Sequence, residues 1–163
     1  MTILQVGSSE EQDKKHQETL EDTGFWGKAG AGSLVLSVRT KRILFALRSK
    51  HVQEPLTWGT WGGAIDEGEN PKRAAKRELQ EEAGYPGQIL VMLPLWIFHD
   101  TKTGFKYFNF LAAVEDEFTP RLDWENSGYK WVEAGKWPTP LHPGAKLLLK
   151  HSAKDILNVV SDL

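Results

Sequence analysis

The sequence predicts an α/β fold, because it contains two helical segments, each of which follows a series of strand-like segments. The first helical segment has clear start and stop signals around residues 70–84, and residues 145–163 show helical spacing of apolar residues. The segments before and between these helical segments are rich in aromatic and β-branched residues, as is typical of strands that pack against helices. Strands are predicted over residues 33–38, 43–47, 57–65, 88–100, 106–114 and 129–133.

Length and composition indicate one globular domain without thiol chemistry. The chain has 163 residues, which is enough for a hydrophobic core, and it contains no cysteine. Disulfides, thiolate zinc sites and a cysteine nucleophile are therefore excluded. The net charge is −2 and basic residues form no blocks, so no extended nucleic-acid surface is expected. Binding of one terminal phosphate group is compatible with this charge.

The amino-terminal residues predict neither a signal peptide nor a membrane anchor. Residues 1–6 are too short for the apolar core of a signal, and no apolar run approaches the length of a membrane span. We therefore expect a cytoplasmic protein that does not enter a membrane. Residues 1–23 are expected to form a polar tail or a short helix, and residues 24–163 the folded domain.

Glycines at the start of the first strand do not form a phosphate-binding loop. The spacing of Gly27, Gly30 and Gly32 fails both the P-loop and the dinucleotide pattern, the latter because Val35 replaces the third glycine. We interpret these glycines as positions where another backbone comes close to the strand. Further along, Pro94 is expected to divide residues 88–100 into two strand segments.

The first helix is delimited by local signals at both ends. Asn70 is a good N-cap, Pro71 suits the first helical position, and Gly84 suits the stop. An apolar stripe at four-residue steps is expected to face the core. Its members are Ala75, Leu79 and Ala83.

Three carboxylates lie close together on this predicted helix. Residues three and four positions apart are neighbours on a helix surface, so Glu78, Glu81 and Glu82 repel one another unless a cation lies among them. Mg²⁺ or Mn²⁺ would fit, because hard divalent cations prefer oxygen ligands. The stretch therefore predicts a metal site.

A longer pattern surrounds these carboxylates. It consists of Gly63, five residues, Glu69, seven residues, Arg77-Glu78-Leu79, one residue, Glu81-Glu82, one residue and Gly84. This pattern resembles the Nudix box of the Nudix hydrolases, and Tyr85 departs from it where the family usually has an aliphatic residue. The chain as a whole resembles compact stand-alone Nudix proteins of bacteria and their phages. The resemblance implies an α/β/α sandwich with a mixed, partly curled sheet, the box helix on one face and the C-terminal helix on the other.

The resemblance also implies roles for individual residues. The implied metal ligands are the Gly62 carbonyl oxygen and the side chains of Glu78, Glu81 and Glu82. Arg77 is expected to orient or neutralise the carboxylates, with Glu69 as its partner, while Gly63, Leu79 and Gly84 have structural roles. For the general base, Glu78 is the first choice and Glu125 the second, although Glu125 lies in an acidic loop where most carboxylates are simply solvated.

The implied reaction is hydrolysis of a diphosphate linkage in a nucleoside diphosphate derivative or a nucleoside triphosphate, with Mg²⁺ or Mn²⁺ as cofactor. Trp58, Trp61 and Tyr107 are candidates for stacking on the base, with core packing as the alternative for each. Arg48 is a candidate for phosphate binding, with simple solvation as the alternative.

Other functions remain open at the level of sequence. One alternative enzyme removes pyrophosphate or a cap from RNA 5′ ends, and the absence of a basic face argues against it. Another alternative is a non-catalytic Nudix-like nucleotide sensor, which the intact glutamates disfavour. Isoprenoid diphosphate isomerisation on this scaffold uses a cysteine, and the chain has none. A small nucleotide-like substrate is the expected partner, and assembly into a homodimer is left open.

Overall fold

The computed structural model describes residues 29–163. The predictions for residues 1–23, for the domain boundary at residue 24 and for Gly27 lie outside the described residues. No helix within the described range combines the length and apolar composition needed to span a membrane. The elements, in chain order, are β1 (Ala29–Ser37), β2 (Arg42–Arg48), β3 (Trp58–Gly59), β4 (Trp61–Ala64), α1 (Pro71–Ala83), β5 (Val91–His99), β6 (Lys106–Val114), β7 (Asn126–Glu133) and α2 (Pro143–Ser161).

The strands form one mixed, seven-stranded sheet around β1. Along one side of β1, β6 runs parallel over the whole length of the strand, and β5 pairs antiparallel with β6. Along the other side, β4 pairs antiparallel with the first half of β1 and β2 with the second half. Strands β3 and β7 both pair antiparallel with β2. The sheet therefore divides beyond β1 into a β4 branch and a branch made of β2, β3 and β7.

The two helices cover opposite faces of this sheet. Alternate residues of a strand point to opposite faces, and in β1 Val35 belongs to the core under α1 whereas Leu34 belongs to the core under α2. Leu79 of α1 and Leu148 of α2 are both completely buried in their respective cores. The predicted α/β/α sandwich with a mixed sheet is therefore confirmed.

The predicted limits of the first helix are confirmed. Asn70 caps α1 by accepting a hydrogen bond at 2.8 Å from the backbone N–H of Arg73, and Pro71 opens the helix. Gly84 ends it with φ of 60°, in the left-handed region that glycine adopts at little cost. Every member of the predicted apolar stripe is fully buried.

Some strand limits differ from the prediction. β1 begins at Ala29 rather than at residue 33, and residues 57–65 divide at Thr60 into β3 and β4. Residues 91–99 form a single strand instead of two, because a bulge between Pro94 and Ile97 absorbs the proline. At this bulge the Trp96 backbone does not pair with β6, and its hydrogen bonds go to side chains instead. Its N–H donates to Ser152 Oγ at 2.9 Å, and its carbonyl accepts from Asn109 Nδ2 at 3.0 Å.

Candidate active site

Strand β4 brings backbone directly against two carboxylates of α1. The Gly62 N–H donates to Glu82 Oε2 at 3.1 Å. A Cβ atom on Gly63 would lie 2.7 Å from the carboxylate carbon of Glu78, so any larger residue would displace that side chain. Because the N–H and C=O of one residue in an antiparallel strand point to the same side, the Gly62 carbonyl also faces the carboxylates. A Cβ atom on Gly62 would meet the backbone of Ala31 and Gly32 in β1, so close approach requires glycine at both positions.

Arg77 connects the loop before α1 to the carboxylates on the helix. Its Nε and Nη2 atoms donate to the two oxygens of Glu69, each at 2.9 Å, and Nη2 also reaches the Ala64 carbonyl at 3.0 Å. Nη1 donates to Glu78 at 2.9 Å and to Glu81 at 3.2 Å. The hydrogen bonds from Arg77 hold the pKa of Glu69 below its usual range. The predicted Arg77–Glu69 partnership is thus present as a bidentate pair.

Glu82 is a buried carboxyl group surrounded by other acids. Glu82 is 6% exposed, and this burial is the largest of the causes that raise its pKa to about 9. A hydrogen bond with Glu125 and repulsion from Glu125 and Glu78 act in the same direction, whereas the Gly62 N–H opposes them. Burial also raises the pKa of Glu78, against the effect of Arg77. The cluster therefore favours binding of positive charge, whether as protons or as a cation.

Glu125 reaches this cluster from the loop between β6 and β7. The Glu125 carbonyl accepts a hydrogen bond at 2.8 Å from the backbone N–H of Ser49, which follows β2. Earlier in the same loop, the Arg121 N–H donates at 2.9 Å to the Ala83 carbonyl at the end of α1. The structure thus brings the Glu125 side chain within hydrogen-bonding reach of Glu82, among the box glutamates.

The donors around Glu82 fit a hard divalent cation. The cluster offers carboxylate oxygens and a backbone carbonyl, the ligand types that Mg²⁺ and Mn²⁺ prefer. Within residues 29–163 as they stand, no three acidic or histidine side chains already converge into a complete cation site. Arg77 binds one oxygen of Glu78 and one of Glu81. A bound cation would compete with Arg77 for these oxygens.

The carboxylates open into a cleft of about 770 Å³. Its lining combines the acidic group with aromatic rings, an arginine and the first turn of α2. The acidic end of the lining contains Gly62, Gly63, Glu82 and Glu125. The remainder includes Arg48, Phe98, Phe105, Tyr107, Asn109 and His142. A cleft of this volume and mixed lining is typical of a small-molecule site.

Tyr107 explains the glycines of β1. A Cβ atom on Gly30 would lie 2.8 Å from the Tyr107 ring, and one on Gly32 or Gly62 would overlap the Tyr107 hydroxyl. The hydroxyl is 3.4 Å from Thr60 Oγ1, and burial raises the pKa of Tyr107 to about 12. The predicted close approach to these glycines is confirmed, since the β4 backbone also lies against Gly32. The Tyr107 side chain is an additional reason for it.

The other residues predicted to bind substrate lie in different parts of the structure. Arg48 lines the cleft, and its Nε and Nη2 atoms donate to the Gln53 carbonyl at 2.9 and 2.6 Å. The stacking role predicted for Trp61 is wrong, because this side chain is completely buried in the α1-side core and donates to the Leu44 carbonyl at 3.3 Å. Trp58 packs against the α2-side core and is not part of the cleft lining.

Sequence reasoning missed two polar residues of the cleft. Asn109 is a buried amide within the largely apolar strand β6, and that isolated polar residue was the available signal. His142 caps α2, with Nδ1 accepting from the Gly144 N–H at 2.9 Å. Burial and the nearby Arg48 lower the pKa of His142. Its position before Pro143 gave a helix-start signal, but nothing in the sequence placed it beside Arg48.

Comparisons with known proteins identify a family match and relatives of this chain. The sequence model of the NUDIX domain family matches residues 28–151 of this chain. A putative 8-oxo-dGTP diphosphatase of Bacillus subtilis is 27% identical over 134 residues, covering 80% of this chain and 87% of that protein. Putative 8-oxo-dGTP diphosphatase 3 of Mycobacterium tuberculosis is 29% identical over 136 residues, covering 77% of this chain and 63% of that protein. The chain therefore spans only part of the length of the Mycobacterium protein.

A solved structure shows the same fold. The Nudix hydrolase RenU of M. smegmatis superposes with a TM-score of 0.65 at 23% identity, covering 85% of this chain and 89% of that one. The box pattern, its placement on β4 and α1, and the domain match over most of the chain lead to one conclusion. The chain belongs to the Nudix family.

Proposed function

We propose that the protein is a metal-dependent pyrophosphohydrolase that cleaves the diphosphate linkage of a nucleoside triphosphate or a nucleoside diphosphate derivative. The observation that carries this proposal is the buried Glu82, which lies beside Glu125, Glu78 and the Gly62 backbone at the wall of a cleft. Such a cluster is costly to ionise without a cation. A structural role alone gives no reason to gather these carboxylates.

Glu78, Glu81, Glu82, Glu125 and the Gly62 carbonyl would hold the divalent ions. When bound, Mg²⁺ or Mn²⁺ supplies charge neutralisation for phosphate oxygens and makes water more acidic. Arg77 keeps one oxygen of Glu78 occupied at 2.9 Å. The other oxygen of Glu78 would then either bind a metal ion or accept a proton from the attacking water, and Glu125 is the alternative base.

The remainder of the cleft suits a nucleotide. Phe98 and Phe105 supply apolar surface for a base. Arg48 supplies a positive charge, and its guanidinium donates a hydrogen bond to the neutral Gln53 carbonyl. The Tyr107 side chain and the Asn109 carboxamide complete the lining with a hydroxyl and an amide. Because two relatives carry the name of putative 8-oxo-dGTP diphosphatases, an oxidised purine nucleoside triphosphate is the first substrate to test.

The test is hydrolysis of a substrate panel with Mg²⁺ and identification of the products. The panel contains 8-oxo-dGTP, dGTP, ADP-ribose and an RNA with a 5′-triphosphate, and water labelled with ¹⁸O shows which phosphorus is attacked. We expect cleavage of a free nucleotide within its diphosphate linkage. Activity on the RNA alone would replace this proposal with RNA pyrophosphohydrolysis. Nucleotide binding without hydrolysis would indicate a sensor.

Substitution of the buried carboxylate provides the matched variant. Glu82→Gln is expected to reduce the rate by at least about 100-fold, because it removes a ligand. The metal-free variant should melt no lower than the wild type, since one member of a repelling cluster is lost. Gln80→Ala, on the exposed side of α1, is the control and should change neither property. Unfolding of Glu82→Gln under native conditions would instead show that Glu82 is needed for the fold.

A further inference from the structure

The loop that carries Glu125 is fastened to the rest of the molecule along its length. Glu117 receives two hydrogen bonds from Arg42, at 2.7 and 2.6 Å. The Arg121 N–H binds the last turn of α1, and the Glu125 carbonyl is bound by the Ser49 N–H. Residues 115–125 therefore form an arm with defined anchor points, rather than a freely solvated acidic loop.

Three aromatic rings connect this arm to the end of the box helix. Tyr85 contacts Phe118 with ring centroids 4.5 Å apart, and Phe118 meets Trp131 of β7 edge to face at 5.8 Å. The Trp131 Nε1–H also donates to the Phe118 carbonyl at 3.2 Å. These rings, which we call the Tyr85–Phe118–Trp131 cluster, are partly buried against the α1-side core. Offset and edge-to-face aromatic pairs favour such defined geometries.

Both members of the Glu82–Glu125 pair are connected to the Tyr85–Phe118–Trp131 cluster. Glu82 lies in the last turn of α1, and Tyr85 follows the Gly84 that ends this helix. Phe118 and Glu125 belong to the same arm, with Arg121 bound between them to the Ala83 carbonyl. Tyr85 is also the position at which this chain departs from the aliphatic residue that the box usually carries. An aliphatic side chain there would not form a ring pair with Phe118.

We propose that Tyr85 is a positioning residue that, through Phe118, holds the arm so that the Glu125 carboxylate meets Glu82 at the metal site. This inference rests on the proposed function, because it assumes that Glu125 contributes to metal binding. Tyr85 acts through its ring. Its hydroxyl donates to the Gln88 carbonyl at 2.9 Å, outside the arm, and is not needed for positioning.

The test measures Mn²⁺ affinity by electron paramagnetic resonance in the absence of substrate, together with kcat and KM. The variants are Tyr85→Leu, Tyr85→Phe, Glu125→Gln and the double variant Tyr85→Leu with Glu125→Gln. We expect Tyr85→Leu to weaken Mn²⁺ binding by roughly 2- to 10-fold, the range that loss of an aromatic pair corresponds to. Tyr85→Phe should bind Mn²⁺ as the wild type does.

The double variant separates positioning from general destabilisation. If Tyr85 acts through Glu125, Tyr85→Leu should have no further effect on Mn²⁺ affinity once Glu125 is glutamine. Ile156→Val, in the buried core under α2, is a destabilising control that should leave Mn²⁺ affinity unchanged. Phe118→Leu is tested in the same way, so that the inference stays falsifiable if Tyr85→Leu fails to fold.

Three outcomes would overturn the inference, and they do so in two distinguishable ways. An equal effect of Tyr85→Leu with and without Glu125, or no effect of it while Glu125→Gln weakens Mn²⁺ binding, would remove the positioning role and leave the proposed function intact. An unchanged Mn²⁺ affinity and rate for Glu125→Gln would refute the role of Glu125 itself. In that case the assumption on which the inference rests is also wrong.

Discussion

At the scale of single residues, Arg77 determines how the carboxylates are arranged. One guanidinium group contacts three glutamates and a backbone carbonyl, and its side chain is 26% exposed. The planar fork of arginine binds both oxygens of Glu69 at once, which a lysine ammonium cannot reproduce. The sequence pattern predicted a charge interaction at this position. The structure shows that its geometry is equally important.

Arg77→Lys should therefore be costly although the charge is kept. We expect the free energy of unfolding to fall by about 1–3 kcal/mol, because hydrogen bonds to Glu69 and Ala64 are lost at a partly buried site. The rate should fall as well, since Glu78 and Glu81 lose their orientation. Urea denaturation and steady-state kinetics measure the two effects. Arg73→Lys, at an exposed position of the same helix, serves as the control, and equal results for both variants would contradict the role of Arg77.

At the scale of elements, the two ends of α1 differ in what they require. The start depends on a local hydrogen bond from the Arg73 N–H to Asn70. The end combines a left-handed residue with a tertiary contact, because a Cβ on Gly84 would lie 2.9 Å from the Cβ of Arg121. Gly84 therefore both stops the helix and admits the arm that carries Glu125.

A comparison of two glycines isolates that contact. Gly84 and Gly68 both have positive φ, of 60° and 79°, but a Cβ on Gly68 would meet nothing within 4 Å. Gly68→Ala should cost about 1–2 kcal/mol of unfolding free energy from backbone strain alone. Gly84→Ala should cost more, because the Arg121 Cβ belongs to the stiff base of its side chain and must move with its backbone. Denaturant unfolding of both variants measures the difference, and equal costs would show that the arm shifts freely.

At the scale of the whole molecule, separate parts of the sheet and loops build the acidic site. β4, α1 and the arm between β6 and β7 each supply one part of it. The result is a cluster that burial and mutual repulsion make difficult to ionise. Stability, proton binding and metal binding are consequently linked at this site.

This linkage predicts how the stability of the metal-free protein depends on pH. The pKa of Glu82 is about 9 in the folded state, above its unfolded value of 4.5, so the folded state retains this proton where the unfolded state has lost it. The stabilisation is complete below about pH 4.5 and is lost as the pH rises toward 9. Glu78, whose pKa is also raised, acts in the same direction, while Arg77 stays charged throughout. Glu69 and Glu117 act in the opposite direction only in acid, because their pKa values are lowered.

The measurement is urea unfolding with EDTA between about pH 7 and pH 9, a window above the acid range in which Glu69 and Glu117 titrate and above the range in which His142, whose pKa is lowered, acts in the opposite direction. The wild type should lose stability as the pH rises, and Glu82→Gln should show a smaller slope. Saturating Mn²⁺ should remove or reverse the trend, because a metal binds the ionised carboxylates and displaces their protons. Identical slopes for the wild type and Glu82→Gln would show that Glu82 does not govern the response.

Features encoded by neighbouring residues were predictable from the sequence. The limits of α1 follow from Asn70 and Gly84, because capping involves residues within one helical turn. The spacing of Glu78, Glu81 and Glu82 on one helix predicted their proximity for the same reason. The Arg77–Glu69 pair was predictable because a single residue, Asn70, separates Glu69 from the helix that carries Arg77. The α/β/α architecture was implied by the resemblance that this box carries.

Features that depend on distant residues required the tertiary structure. The contact of Glu125 with Glu82, the burial of Trp61 and the position of Tyr107 over the glycines of β1 all depend on how the strands pair and where a long loop crosses α1. A local pattern cannot specify these, because strand partners and register are selected by the packing of the entire sheet. The sequence by itself determined the helix, its carboxylates and the family. Only the tertiary structure decided which further acid joins them and what lines the cleft, since those arrangements arise from contacts between distant parts of the chain.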